Sequence, residues 1–278
     1  MSEHSTTAPS LTQRELDVIE ILKMALLSLK ARWASSLSVP LVLCLLYYAF
    51  AYFQFQEAME ASGGMDTPSE AETFARTLGA GSARGLLTGV GFSLILSISL
   101  IFPLRRAVDY FQLRPNSQGN LGLQTLQLTI GSILLGLASL AGLALCLVPG
   151  AFLMVAFMMF PAALVVQDSG FKESFERAYR TFSVRKGKIL ALFFLLILMT
   201  SLVYFIVALP ALVYYGFALF QMVAQNRPEM LAQIAPTMML LNYAAAVLSV
   251  PFAIGLTGHT LVAGYENFRH FIPNGPEF

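Results

Sequence analysis

The sequence predicts an all-α polytopic membrane protein with six transmembrane helices, cytoplasmic amphipathic helices and both termini in the cytoplasm. Three observations carry that prediction. Hydrophobic residues make up 56% of the chain and charged residues 12%, about half the ~25% charged share of an ordinary soluble domain. The apolar residues fall in six blocks, Trp33 to Phe53, Gly85 to Leu104, Leu126 to Leu147, Ala151 to Val166, Ile189 to Phe220 and Thr237 to Tyr265. Most reach the roughly 18 to 20 residues that cross a hydrocarbon core. The basic residues are also one-sided: with the N-terminus inside, only Arg76, Arg84 and Arg227 of the 17 Lys and Arg fall outside. Short loops rich in Lys and Arg resist translocation, which orients the chain.

Taking the elements in order, residues 1–10, "MSEHSTTAPS", are expected to be disordered. Residues 11–32 read as a cytoplasmic amphipathic helix. Thr12 and Glu15 stand at capping-box spacing, and Leu16, Ile19, Leu22, Leu26 and Leu29 recur on one face, with Asp17 and Glu20 on others. Such a helix lies on the membrane surface or against the bundle. The membrane domain follows over 33–270. Its first span starts too far from the N-terminus for a cleaved signal peptide and is long enough to remain as an anchor. Cys44 and Cys146 sit inside apolar blocks, so neither a structural disulfide nor a metal ligand is expected.

The external loop 54–84 carries Glu57, Glu60, Asp66, Glu70 and Glu72. It reads as a solvated connection, with a partner- or cation-receiving loop as the alternative. Gly81, Gly85, Gly89, Ser93 and Ser97 then recur every four residues, a small-residue groove that lets another backbone come close, in the same chain or in a second protomer. Between the third and fourth blocks stands "VPG", Val148 to Gly150. Pro and Gly together favour a tight helical hairpin here, the alternative being one long kinked helix. Pro40, Pro161, Pro210 and Pro251 lie within or at the edges of spans and are expected to kink them.

The basic loop 168–188 is the most patterned stretch. "DSG" at Asp168 to Gly170 offers capping side chains, and Phe171, Phe175, Ala178, Tyr179 and Phe182 then form one stripe. Lys172, Glu173, Glu176, Arg177, Arg180 and Arg185 occupy the other faces, with Lys186 and Lys188 beyond. Each aromatic is worth about 1.5 to 3 kcal/mol on full burial, so hydrophobic docking dominates. Charge selects the anionic cytoplasmic leaflet. Phe171, Phe175, Tyr179, Phe182, Arg177, Arg180, Arg185 and Lys186 are therefore the expected docking residues, toward anionic lipid headgroups, a protein partner or a second copy. Nucleic acid is not an expected partner, because these aromatics share a buried-type stripe rather than an exposed stacking platform. "FPLRRAVDYFQLR" after the second span and "GYENFRHF" after the sixth echo the same design. Residues 271–278 form a C-terminal tail.

Chemistry in a membrane usually declares itself by ionisable residues at depth, and the six blocks contain no Asp, Glu, Lys or Arg. His259 in "GLTGHTLVAG" stands out, with Asn242, as the candidate polar cavity. It reads either as a proton relay or as a packed, hydrogen-bonded residue near the end of the last helix. His4, His259 and His270 lack metal-ligand spacing. No GxSxG elbow and no phosphate-cradling glycine motif occurs. No catalytic, cofactor or metal residues are assigned, and the expectation is a protein that is not an enzyme.

The run "VPGAFLMVAFMMFPAALVVQDSGFKESFERAYRTFSVRKGKILALF", Val148 to Phe193, resembles the polytopic membrane domain that precedes the catalytic domain in some bacterial glycerophosphoryl diester phosphodiesterases, and its stand-alone relatives. The likeness lies in the Pro-Gly turn, the short span meeting a proline, the acidic-Ser-Gly-Phe step and the aromatic-basic helix leading into the next span. Those enzymes carry their catalytic His, Glu and Asp in a soluble barrel, for which the chain to Phe278 leaves no room. The resemblance thus implies a bacterial inner-membrane scaffold or accessory protein, in envelope or lipid upkeep, without phosphodiesterase activity. A transporter or lipid-handling channel with a cavity near His259 is the alternative.

Overall fold

The described residues are organised around the last helix, on which several others pack. The computed structural model describes residues 11–62, 91, 93–113, 119–145, 147–225 and 230–272. Among these residues every regular element is helical: α1 Val18–Ala31, α2 Trp33–Ser62, α3 over 93–110, α4 Leu121–Leu145, α5 Leu147–Ala156, α6 Phe160–Gln167, α7 Phe171–Gln225 and α8 Met230–His270. Helices α7, α2, α1 and α6 surround α8, and α4 pairs with α5.

Among the described residues, five stretches are long and apolar enough to cross a membrane: Trp33–Phe53, Leu121–Gly142, Val148–Gln167, Phe171–Gln221 and Pro236–His270. The block predicted at Gly85 to Leu104 lies partly outside the described residues, as do residues 1–10, most of the loop 54–84 and most of the tail 271–278. The first part of that loop is helical, because α2 continues to Ser62.

Small residues on α8 set its close contacts. A Cβ on Gly258 would lie 2.9 Å from Pro103 and 3.1 Å from the Leu104 amide of α3, and one on Gly255 would lie 2.5 Å from Leu37 of α2. Of the predicted stripe, Gly81, Gly85 and Gly89 lie outside the described residues. Ser93 and Ser97 are on α3, where Ser97 Oγ donates to the Ser93 carbonyl at 2.8 Å.

The reversal between α4 and α5 corrects the expected role of "VPG". A Cβ on Gly142 would lie 2.8 Å from the Gly150 amide, a contact that eight residues of continuous helix, about 12 Å long, could never make. The chain does turn back, but Pro149 and Gly150 stand inside the first turn of α5. Proline is tolerated there because those amides need no helical acceptor; Gly150 lets the two backbones touch. At Pro161 the expected kink is a full break. Met158 N donates to Val155 O and Phe160 N to Phe157 O, three-residue bonds that end α5, and α6 restarts with its proline in the first turn.

Two capping expectations also shift. Thr12 and Glu15 do not start α1; Asp17 is its N-cap, and the Asp17 amide donates to Glu20 Oε2 at 3.2 Å. The buried face of α1 is Ile21, Leu22, Ala25, Ser28 and Leu29, while Ile19, expected in the stripe, is 74% exposed. Asp168 closes α6 in the left-handed region (φ 51°, ψ 33°) rather than opening α7; among L-residues, Asp and Asn accept that geometry most readily. The amphipathic helix and the next span form one run, α7, interrupted at Arg185 (φ −119°, ψ 33°).

Candidate functional site: polar joints of α1, α7 and α8

His259 is fully buried. Its Nε2 faces Ser36 Oγ at 3.0 Å and its Nδ1 is hydrogen-bonded with Ser28 Oγ. Ser28 Oγ also donates to the Ala25 carbonyl at 3.2 Å. One hydroxyl proton serves one acceptor, so the consistent network has Nδ1–H donating to Ser28 and Ser36 donating to Nε2. Both ring nitrogens of a neutral imidazole are then satisfied. The residue ties α1, α2 and α8 together, which is the packed reading of the two held open by the sequence. Asn242 stands 17 residues earlier on α8, about 26 Å away along a helix. His259 and Asn242 therefore do not meet directly.

A second joint lies where the segment before α1 meets the break in α7 and the end of α8. Asn267, fully buried, donates from Nδ2 to the carbonyls of Leu11 (2.7 Å) and Arg14 (2.9 Å) and accepts from the Leu16 amide at 3.0 Å. Glu15 then reaches the break in α7, with Oε1 2.8 Å from Lys188 Nζ and 3.2 Å from Arg185 Nη1. Lys188 Nζ also donates to Leu16 O at 3.2 Å, and Arg185 Nη2 donates to Phe271 O at 2.6 Å. The hydrogen bond from Lys188, with both nearby positive charges, holds the Glu15 carboxyl below its ordinary range against the opposing cost of burial. Beside this joint, Glu266 takes Arg269 in a fork, 2.6 and 2.8 Å.

The aromatic stripe lands on its own chain. Phe175 stacks near Phe160 (ring centroids 4.1 Å) and Phe157 (5.3 Å), Phe171 meets Phe160 at 5.8 Å, and Phe182 meets Phe152 edge-on at 5.3 Å. Tyr179 stacks on Phe157 at 5.9 Å while remaining half exposed. The partner of the stripe is thus the α5–α6 arm. Arg177 turns inward to Gln167 Oε1 and Glu173, and Arg185 is taken up at the α7 break; Lys186 stays exposed. Arg180 lies between them, half buried.

Neither the family models, the curated proteins nor the solved structures contain a match to this chain.

Sequence reasoning missed Ser28, Ser36, Glu15, Lys188 and Asn267 as joint residues. It also missed a third knot, in which Arg105 holds Gln124 Oε1 at 2.9 Å and the Gly119 carbonyl while Gln124 Nε2 donates to Asp168 Oδ1 at 2.6 Å. One signal was present: Asn267 and Glu266 are polar residues adjoining an apolar run, where an unpaired amide or carboxylate would be costly. Among the described residues no three His, Cys, Asp or Glu gather as metal ligands.

Proposed function

We propose that this chain is a non-enzymatic scaffold or accessory protein of the bacterial inner membrane, crossing six times with both termini in the cytoplasm, and acting through lipid and protein contacts in envelope or lipid upkeep. The single observation that carries the reading is how the polar side chains are spent. His259, Asn267, Gln124 and Arg177 turn inward onto internal partners, whereas Lys172, Lys186 and the apolar faces of α2 and α7 remain exposed. Groups that work on a substrate need access; groups that hold a scaffold together do not. The one-sided distribution of Lys and Arg supports the orientation, and the resemblance to phosphodiesterase membrane domains supports the setting. The transport alternative draws nothing from His259, which is sealed between two serines.

Purification from native membranes in mild detergent tests the reading. Anionic phospholipid should be enriched over its share in the bulk membrane, and the K172Q/R180Q/K186Q variant should lose that enrichment. Recovery of bulk lipid composition with both proteins would sink it.

A further inference from the structure

We infer that α4, α5 and α6 form a hairpin embedded in the cytoplasmic leaflet, entering and leaving the membrane on that side, with its bare face against lipid acyl chains. The inference rests on the membrane-contact reading above and refines it: one such hairpin takes the place of two of the six crossings, and both termini stay on the side proposed there. By length and composition each arm could cross, since Leu121–Gly142 and Val148–Gln167 are both long and apolar enough. Their contacts deny them the depth. The two arms are in register from base to tip: Gln124 Nε2 donates to Asp168 Oδ1 at 2.6 Å, Gly131 lies against Phe160, and Gly142 lies against Gly150. The first part of α7 runs antiparallel along the returning arm, where Phe160 meets Phe171 and Phe175, Phe157 meets Phe175 and Tyr179, and Phe152 meets Phe182.

That part of α7 fixes the level of the hairpin. It carries Lys172, Glu173 and Glu176 exposed, and Arg185 and Lys186 follow soon after Phe182. Charges so closely spaced are too costly to place in hydrocarbon, so whatever lies beside residues 171–186 stays at the aqueous boundary. The base is held there too, by Arg105 of α3 on Gln124 Oε1 at 2.9 Å and on the Gly119 carbonyl. Only about five residues of each arm reach past Phe152, roughly 8 Å of helix, against a hydrocarbon core about 30 Å thick. The bare face suits that shallow place. Leu123, Leu126, Ile130, Leu134 and Leu137 form one exposed stripe on α4, across the helix from the packed Gln124, Leu128, Gly131 and Gly142. No Asp, Glu, Lys or Arg occurs between Gly119 and Gln167, and the tip, "GLALCLVPGAF" at Gly142 to Phe152, offers no charged group to outer water. A stripe without charge gives a headgroup or an acidic partner nothing to pair with; acyl chains need no pairing. A wedge in one leaflet expands that leaflet alone, so its insertion responds to lipid packing.

The test uses the full chain in right-side-out membrane vesicles, with Cys44 and Cys146 changed to alanine and one new cysteine added at a time. A71C, in the external loop, should react with a membrane-impermeant maleimide supplied outside, and V148C, at a position 72% exposed beside the tip, should not. Labelling of both overturns the hairpin while the orientation stands, because the tip then reaches the outer face. Labelling of neither overturns the orientation itself, and the inference with it. Fluorescence reads the lipid contact, Trp33 being the only tryptophan in the chain. W33F/L134W and W33F/V148W should be quenched by phosphatidylcholine brominated on its acyl chains and shielded from acrylamide. Quenching by acrylamide alone puts the stripe in water, and protection from both quenchers puts a second copy over it; either result overturns the assignment to lipid.

Discussion

Asn267 shows how one side chain can fix a segment that has no regular structure of its own. Its amide satisfies two carbonyls and one N–H of residues 11–16, groups that would each cost about 1 to 3 kcal/mol if left buried and unpaired. In N267A this strap of chain should escape to water rather than stay and suffer that cost. Hydrogen exchange over residues 11–16 should accelerate while the spans stay protected; unchanged exchange there would show that the clamp is not what holds the strap. Glycines on α4 offer a matched pair. A Cβ on Gly131 would come within 2.6 Å of Phe160 Cζ, and that ring is pinned by Phe171 and Phe175. G131A should therefore lose about 1 to 3 kcal/mol by overpacking. At Gly136 nothing lies within 4 Å, so G136A should leave stability level or raise it by about 0.5 to 1 kcal/mol. Thermal unfolding in detergent distinguishes them, and equal effects would refute the packing argument.

At the scale of elements, α7 is two functional pieces in one run. Its first part docks by Phe175 and Phe182 on α5 and α6, and its second begins at the Arg185 break as a largely exposed apolar span. Changing Phe175 and Phe182 together to Glu would force two carboxylates against the rings of Phe160 and Phe152. The α5–α6 arm should separate from α7, read as new proteolytic cleavage between residues 168 and 185; a parent-like digest would refute docking. The strap also carries a pH dependence of known sign. Glu15 has its carboxyl lowered below the ordinary 4.5, so its ion pairs contribute fully above that value and are lost as pH falls through the lowered folded value. Strap exchange should therefore rise in acid in the parent and lose that pH dependence in E15Q. An acid response that persists in E15Q would assign it to another group.

For the whole molecule, packing is uneven along the bundle. The fully buried residues gather around α1, the last part of α3, α6, the first part of α7 and the last part of α8, while α2 and α7 present Phe50, Phe53, Phe205, Phe217 and Phe220 outward. Hydrocarbon solvates such side chains as well as a protein core does, so lipid-facing helices lack the drive to close up that water imposes. The polar joints, by contrast, all sit at the tightly packed end. Orientation is decided at this scale too. Reporter fusions at residues 70 and 180 should fall on opposite sides of the membrane, the former outside and the latter inside; the reverse result would overturn the proposed topology.

What the sequence determined by itself is the all-helical class and the presence of several apolar runs long enough to cross a membrane: run length, charge depletion and the aromatic stripe of 171–182 are properties of neighbouring residues, so they were legible without contacts. Capping was less so, because Thr12–Glu15 and Asp17–Glu20 share a spacing and only the latter opens a helix; Glu15 is drawn off by Arg185 and Lys188 from the far half of the chain. The role of Pro149 and Gly150 likewise depended on where α4 ended. The joints were decided by tertiary structure alone. His259 meets serines 231 and 223 residues away, and Asn267 meets a carbonyl 256 residues away. A buried polar group must find a partner, but its own surroundings in the sequence cannot say which distant one the packing of helices will bring to it.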